Sequence, residues 1–563
     1  MAATVPITLF RAMPTDAQSH WEPRATRLAA HIAFASFLIS ILTGLLLPIY
    51  TDEVGWRMHL RAAYDGGVDR MLNDICGPHT IVAPPLFMMP FRYLSAWANL
   101  TFPDPLYVRL LGVAMAIGWA FLLRALIGRI AVEPKLRARV SALAFALLGM
   151  GVLPIMLVMG RPDQVILLSM TAALMVAALA KRSDSANPRL AWLWPFLIVL
   201  LAIMAISWHL KGILVTPLFL ACIVFSGRGS RSRPPRLLAA LLLVACALQG
   251  ANYWVNRFRC PDDPVLKTLL AQENLAAAIQ AGGDWQVLVP AALHRALPLT
   301  YIALAESRPH MMSDWLPRDQ ISRPAMIKRF IVMNFAWHAA MLVSLICLVR
   351  ALLRRWRERR IDLATVAPVI LGGLVLVWGF SQQVKNDYEI KIVLPMLALF
   401  CVYSLSLARW SPRQGKWFGI AATLAVALSI AGQIDIAMRY MPPLARAAGR
   451  PGYVEGQRAS VSVFGYHAIR GQILATAHMC GIGSHGRAVH PLLDDVTYFA
   501  MEDSWQPFHR LAVLENWKGS IRNPLAYLKS RGSDGLVMGC HLLSPDLRRQ
   551  AIRNGEFCCI GTK

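Results

Sequence analysis

LAAHIAFASFLISILTGLLLPIYTDE, residues 28–53, decides the fold. A helix of roughly 20 apolar residues crosses the hydrocarbon core of a bilayer; this run reaches that length and then stops on two adjacent acids, Asp52 and Glu53. Runs of the same kind recur near 106–128, 140–159, 164–180, 190–208, 211–226, 237–256, 329–350, 362–381, 390–408 and 416–437. Residues 1–437 therefore read as one polytopic α-helical membrane domain of about eleven transmembrane helices. Composition agrees: 56% of the 563 residues are hydrophobic, 16% are charged and the mean hydropathy is +0.47, which excludes a soluble enzyme of this size. The first run has full spanning length and lacks a small-residue cleavage pattern, so it is expected to stay as an anchor and not to be removed as a signal peptide.

Charge sets the expected orientation. Lys and Arg number 57 against 32 Asp and Glu, a net +25, yet the basic residues sit in short clusters between apolar runs and not on one amphipathic face. Nucleic acid is accordingly not an expected partner. Every second connection is basic: Arg124 to Arg139, Lys181 to Arg189, Arg228 to Arg236, RRWRERR at 354–360, and Arg409 to Lys416. The positive-inside rule puts these connections and the N-terminus in the cytoplasm. The long loops 51–105 and 257–328, the former with juxtamembrane helices, then face outward. So does the tail 438–563, which reads as a small α/β domain: ILATAHMC and DGLVMGC as strands, PLAYLKSRG and SPDLRRQAIRNG as helices. Cys222, Cys246, Cys347 and Cys401 fall within spans, while Cys76, Cys260, Cys480, Cys540, Cys558 and Cys559 face outward, where disulfides are permitted. Cys480 with Cys540 is the favoured pair.

Four polar features interrupt the expected outer surface. Asp52 and Glu53 close the first span; a carboxylate there could act as a general base, the pair could hold a divalent cation such as Mg, Mn or Zn through oxygen, or the acids could simply mark the membrane boundary. MGRPDQ, residues 159–164, is a tight turn carrying Arg161 and Asp163: a phosphate fork, or a snorkelling arginine beside a helix cap. SWHLKG, 207–212, places Lys211 where topology asks for no cation, with His209 as a metal or acid–base candidate or an ordinary interfacial histidine. SQQVKNDYEIKIVLP, 381–395, gathers Lys385, Asp387, Tyr388 and Glu389; Lys385 could meet a phosphate and Tyr388 a sugar or headgroup, against a solvated loop. GIGSHG, 481–486, matches a dinucleotide glycine pattern but opens no convincing helix and is soon followed by Pro491, so it reads as a turn.

Taken in order along the chain, these features resemble the membrane-embedded glycosyltransferases of the C superfamily, in particular the branch with protein O-mannosyltransferases and the aminoarabinose transferases of lipid A. The resemblance covers residues from about 28 to 410. It rests on the acid pair Asp52 and Glu53, the Pro-Pro segment APPLFMMPFRYLSAW at 83–97, the Arg-Leu pair in Tyr107 to Leu110, the Arg161 to Asp163 turn and the Lys211–Gly212 pair. Where such proteins carry Arg-Tyr before Leu-Pro, this chain has Asp387, Tyr388, Glu389 and then Leu394, Pro395. The missing arginine is a departure that Lys385 and Lys391 could offset in charge.

The resemblance implies transfer of a sugar from a polyprenyl-phosphate or polyprenyl-diphosphate donor to a cell-envelope lipid, glycan or protein acceptor, at the outer face of a cell inner membrane. Asp52 would be the general base, with Glu53 assisting or helping to bind a metal. Arg161, Lys211 and Lys385 would receive the donor phosphate, and Asp163, His209 and Tyr388 would contact substrate. A polytopic transporter or lipid flippase is the rival class, opposed by the lack of an internal repeat and by the outlay in outer loops and domain. A non-catalytic partner for polysaccharide export would have no use for Asp52.

Overall fold

The computed structural model describes residues 21–50, 53–57, 85–101, 104–183, 190–227, 233–258, 275–280, 282–297, 301–302, 323–359, 361–381, 389–449, 451–452, 460–482, 491–501, 524–530 and 533–562. Most of the apolar runs fall on helix. In chain order the bundle comprises α1 (Trp21–Thr43), surface helix α2 (Met89–Leu100), α3 (Pro105–Ile130), α4 (Pro134–Gly149), α5 (Leu153–Met156), α6 (Asp163–Ser183), α7 (Leu190–Trp208), α8 (Thr216–Val224), α9 (Arg233–Phe258), α10 (Leu275–Gln280), α11 (Trp285–Arg295), α12 (Arg323–Arg357), α13 (Leu363–Ser381), α14 (Ile390–Ser406) and α15 (Pro412–Gly449). Among the described residues, seven helices are long and apolar enough to cross a membrane: α1, α3, α6, α9, α12, α13 and α15. The apolar stretches Trp192–Trp208, Leu210–Val224 and Ile390–Ser406 are shorter.

The third run, read as one span over 140–159, is broken. Helix α4 stops at Gly149, Gly151 takes a positive φ of 71°, and only the four-residue α5 follows before the turn into α6. A helix that ends among apolar neighbours leaves carbonyls without partners, and such a break is tolerated only inside protein. Here Gln433 of α15 meets the need: its Nε2 donates to the Gly149 carbonyl at 3.1 Å, while its Oε1 accepts from Ser36 of α1. Residues 142–160 are almost wholly buried.

Helix α15 runs on to Gly449, past the boundary drawn at 437. The domain that follows holds a four-stranded sheet in the order β3 (Leu492–Leu493), β4 (Gly535–Gly539), β6 (Phe557–Gly561), β5 (Ile552–Asn554), parallel between β3 and β4 and antiparallel elsewhere. Helices α16 (His467–Met479), α17 (Asp495–Met501), α18 (Pro524–Ser530) and α19 (Pro545–Gln550) accompany it. DGLVMGC and PLAYLKSRG take the expected forms, but ILATAHMC is the second half of α16. Its buried residues Ile469, Ile473, Thr476 and Ala477 recur at helical spacing, and the glycine pattern after it therefore lacks a leading strand. SPDLRRQAIRNG splits into α19 and β5.

Two disulfides staple the sheet, Cys480–Cys559 and Cys540–Cys558, in place of the expected Cys480–Cys540. Cys558 and Cys559 are consecutive on β6, so their side chains leave opposite faces, and each takes the cysteine on its own side. Cys76 and Cys260 lie outside the described residues, and the four bundle cysteines are free.

Domain and bundle share a core. Ile49, Val54 and Val108 pack in one buried cluster with Val461, Tyr466, Ile469, Val537 and Phe557, and the short strand β1 (Ile49–Tyr50) pairs antiparallel with β2 (Ser460–Val461). Close backbone approach within the bundle is equally specific. A Cβ on Gly112 of α3 would overlap the Val158 carbonyl oxygen, whereas one on Gly118 would meet nothing within 4 Å. Gly112→Ala should therefore destabilise the fold by about 1–3 kcal/mol, read as a lowered unfolding midpoint in detergent. Gly118→Ala, which adds only helix propensity, should leave the midpoint unchanged or raised.

Candidate active site

At the centre of this end of the bundle lies a buried ion pair, Glu53 with Arg109. Glu53 begins a helical turn, residues 53–57, directly after the Asp52 position. Its Oε1 accepts from Arg109 Nη1 at 3.0 Å and from the Gly160 amide at 2.6 Å; its Oε2 accepts from Arg109 Nη2 at 2.9 Å and from the Tyr50 amide at 3.0 Å. Arg109 stands in the first turns of α3 and adds bonds from Nε to the Leu47 carbonyl (2.8 Å), from Nη1 to Val158 (3.0 Å) and from Nη2 to Pro48 (2.8 Å). A guanidinium has five N–H donors and a carboxylate about four acceptor directions; all are used. A Cβ on Gly160 would sit 3.0 Å from the Val108 side chain and 3.5 Å from the Glu53 carboxylate, close but not overlapping.

The turn after Gly160 delivers Arg161 and Asp163. Arg161 Nε lies 3.2 Å from Asp163 Oδ2, and Lys391 of α14 approaches the same oxygen at 3.7 Å while donating to the Met159 carbonyl at 3.3 Å. Lys211, in a 3-10 helix Leu210–Val215, pairs with Glu389 at 3.3 Å and lies 5.4 Å from the centre of the Trp378 ring. His209 caps that helix, its Nδ1 accepting from the Lys211 amide at 3.0 Å, and its ring is 6.1 Å from that of Trp56. Tyr301, in the described pair 301–302, is buried; burial, with the Glu389 carboxylate nearby, pushes its phenol up, so it stays protonated. Among the described residues, three cations (Arg161, Lys211, Lys391) face two carboxylates (Asp163, Glu389).

Beside it opens a cavity of about 210 Å³ with an almost entirely apolar lining. Leu111 and Met115 of α3, Val165 and Leu168 of α6, and Met204 of α7 form its walls, Trp56 and Trp208 flank it, and Gly160 and Arg161 sit in its lining as the polar contribution of the turn. An apolar cavity with a cation in its lining suits an apolar group that carries an anionic head.

Of the residues expected from sequence, Glu53, Arg161, Asp163, His209 and Lys211 gather here. Asp52, Lys385 and Tyr388 lie outside the described residues. The Glu53 carboxylate accepts four hydrogen bonds, two from Arg109 and one each from the Gly160 and Tyr50 amides. Among the described residues no group of three or more His, Cys, Asp or Glu side chains gathers as a metal site. Two contributors went unassigned in the sequence, Trp56 and Glu389. Trp56 follows Asp52 by four residues, a helical turn, which was the available signal; Glu389 carried none beyond its charge.

No family model matches the sequence, and no curated protein matches it. Among solved structures the chain is similar to ArnT from Cupriavidus metallidurans bound to undecaprenyl phosphate, at 13% identity and a TM-score of 0.42, over 95% of this chain and 97% of that one. It is also similar to the archaeal oligosaccharyltransferase AglB from Archaeoglobus fulgidus in complex with an inhibitory peptide and a dolichol-phosphate, at 12% identity and a TM-score of 0.45, over 93% of this chain and 70% of that one. A third likeness is to arabinosyltransferase EmbB from Mycobacterium smegmatis, at 14% identity and a TM-score of 0.27, over 79% of this chain and 44% of that one.

Removing either member of a buried ion pair strands the other charge, at a cost of about 3–5 kcal/mol. Glu53→Ala and Arg109→Ala should each lower the unfolding midpoint sharply. Arg161→Ala, which leaves Asp163 paired with Lys391, should change it little by the same thermal assay.

Proposed function

We propose that this protein transfers a sugar from a polyprenyl-phosphate donor to a hydroxyl or amine acceptor at the membrane surface, by single displacement. The observation that carries this reading is the apolar cavity lined by Arg161 and bordered by Trp56, on the turn that begins one residue after Asp52. The isoprenoid lies along Leu111, Met115, Val165 and Leu168, its phosphate reaches the cluster at Arg161, and the sugar sits towards residues 52–56.

Asp52 takes the acceptor proton. The acceptor oxygen or nitrogen then bonds to the anomeric carbon as the carbon–oxygen bond to phosphate breaks. The electron pair goes to the phosphate, which changes from a phosphodiester to a phosphomonoester and gains a negative charge. Arg161 stabilises that charge where it develops, with Lys211 and Lys385 as further cations and Asp163, His209 and Tyr388 around the substrate. Glu53 acts by holding the turn, not by moving a proton. No step depends on a divalent ion. The acceptor is a lipid, glycan or protein of the cell envelope, and the chain sits in the inner membrane with eleven spans, its basic connections cytoplasmic and its C-terminal domain periplasmic.

The test is transfer by purified protein in detergent from radiolabelled polyprenyl-phosphate sugars to a membrane-lipid extract or peptide panel. Asp52→Asn should cut kcat by about 100- to 10,000-fold with donor binding kept. Arg161→Gln should weaken undecaprenyl-phosphate binding by about tenfold, the loss of one charge-assisted contact. Movement of the lipid across a vesicle membrane with no covalent change to the sugar would overturn the reading and assign the chain to a flippase.

A further inference from the structure

The C-terminal domain grips the chain on both sides of the Asp52 position. Before it, Ile49 and Tyr50 pair with Val461 and Ser460. After it, Val54 is fully buried in the domain's own core cluster with Val461, Tyr466 and Phe499. Three residues further on, Arg57 is 1% exposed, and its guanidinium lies 5.4 Å from the centre of the Phe499 ring. The same guanidinium donates from Nη1 to the Asn99 carbonyl at the end of α2. Phe499 is held edge-on by Tyr466 and Tyr498, each with ring centres at 5.8 Å, and Tyr466 is fixed by its hydroxyl bond to the Val496 carbonyl at 3.0 Å.

A two-residue strand pair is too short to hold a segment unaided. A buried guanidinium, by contrast, demands partners, and an aromatic face is one of the few that an apolar core can offer. Between these two grips stand Glu53, pinned to the bundle, and Trp56, which borders the cavity. Domain, turn and cavity therefore form one mechanical series: Phe499 sets Arg57, Arg57 sets the turn 53–57, and the turn sets Trp56.

We propose that the C-terminal domain is a positioning element of the transfer site, acting through the contact of Phe499 with Arg57 on the turn 53–57. The inference rests on the transferase reading for its consequence in rate, though not for the mechanical coupling itself. Phe499 and Arg57 are positioning residues and touch no reacting atom. The geometry assigns the domain a task that does not depend on which acceptor is used.

Hydrogen–deuterium exchange and transfer kinetics on the full-length protein in detergent test it. Phe499→Ala should speed amide exchange in peptides covering residues 49–57 while the disulfides Cys480–Cys559 and Cys540–Cys558 stay intact by mass spectrometry. Misplacing reacting groups by about 1 Å costs on the order of 100-fold in rate, so kcat should fall by about that factor while undecaprenyl-phosphate binding changes less than about threefold. Phe499→Tyr, which keeps the aromatic face, should restore both readouts. Unaltered exchange at 49–57 with unaltered kcat in Phe499→Ala overturns the proposal.

A second variant decides the matter where Phe499→Ala loosens the whole domain. Tyr50→Cys with Ser460→Cys, opposed in the β1–β2 register, should form a cross-link that leaves transfer intact and recovers it when combined with Phe499→Ala. Loss of transfer on cross-linking a folded protein would show that the domain must release this segment during turnover, and would overturn the proposal. A wild-type protein that transfers no sugar would sink the transferase reading alone, since the exchange result reads the coupling independently.

Discussion

Arg109 and Glu53 hold this structure's working end together because neither has a hydrogen-bonding direction left over. The guanidinium takes the carbonyls of Leu47, Pro48 and Val158, and the carboxylate takes the amides of Tyr50 and Gly160. Those five backbone groups belong to chain that leaves regular helix at the end of the first apolar run and in the broken third one. Each would be a stranded polar group in an apolar surrounding, and each such loss is costly. The ion pair, itself expensive to bury, is stable only because these groups complete it. One solution satisfies both needs. It also fixes Gly160, hence the placement of Arg161, hence the side of the cavity at which an anionic head can be received.

Much of the architecture was legible because bilayer physics writes long, unambiguous signals. Most of the apolar runs fall on helix, and Glu53 follows α1 after a 3-10 turn and the short strand β1. An apolar run does not report where its backbone is interrupted, however. The break at Gly149 to Gly151 depends on Gln433, nearly three hundred residues later in the chain, and only the glycines and Pro154 hinted at it. ILATAHMC misled for a local reason: Ile473 and Thr476 favour strands one at a time, while the helical spacing that governs them starts further back at Ile469. The adjacent cysteines Cys558 and Cys559 held the information about pairing, since consecutive strand residues must look to opposite faces.

The site was legible by chemistry and less so by role. Arg161, Asp163, Lys211 and His209 do converge, yet three of them already serve the protein: Asp163 between Arg161 and Lys391, Lys211 against Glu389, His209 as a helix cap. Adjacent acids in sequence suggested a joint task for Asp52 and Glu53. In the structure the Glu53 carboxylate meets Arg109, which the Arg-Leu pair of α3 carried without announcing its partner. No pattern in one dimension could reveal that the C-terminal domain closes its core around Ile49, Val54 and Val108.

The pairing of Ile49–Tyr50 with Ser460–Val461 also imposes an order in time. These segments are separated by roughly 400 residues, and at synthesis rates of ~5–20 residues per second the first waits about 20 to 80 s for the second to be made. Throughout that interval the membrane helices can enter the bilayer and find one another, but the strand beside the acid pair has no mate. The strand beside the first span is completed only when the segment at Ser460–Val461 has been made. A product terminated before residue 460 therefore leaves the strand Ile49–Tyr50 without its mate.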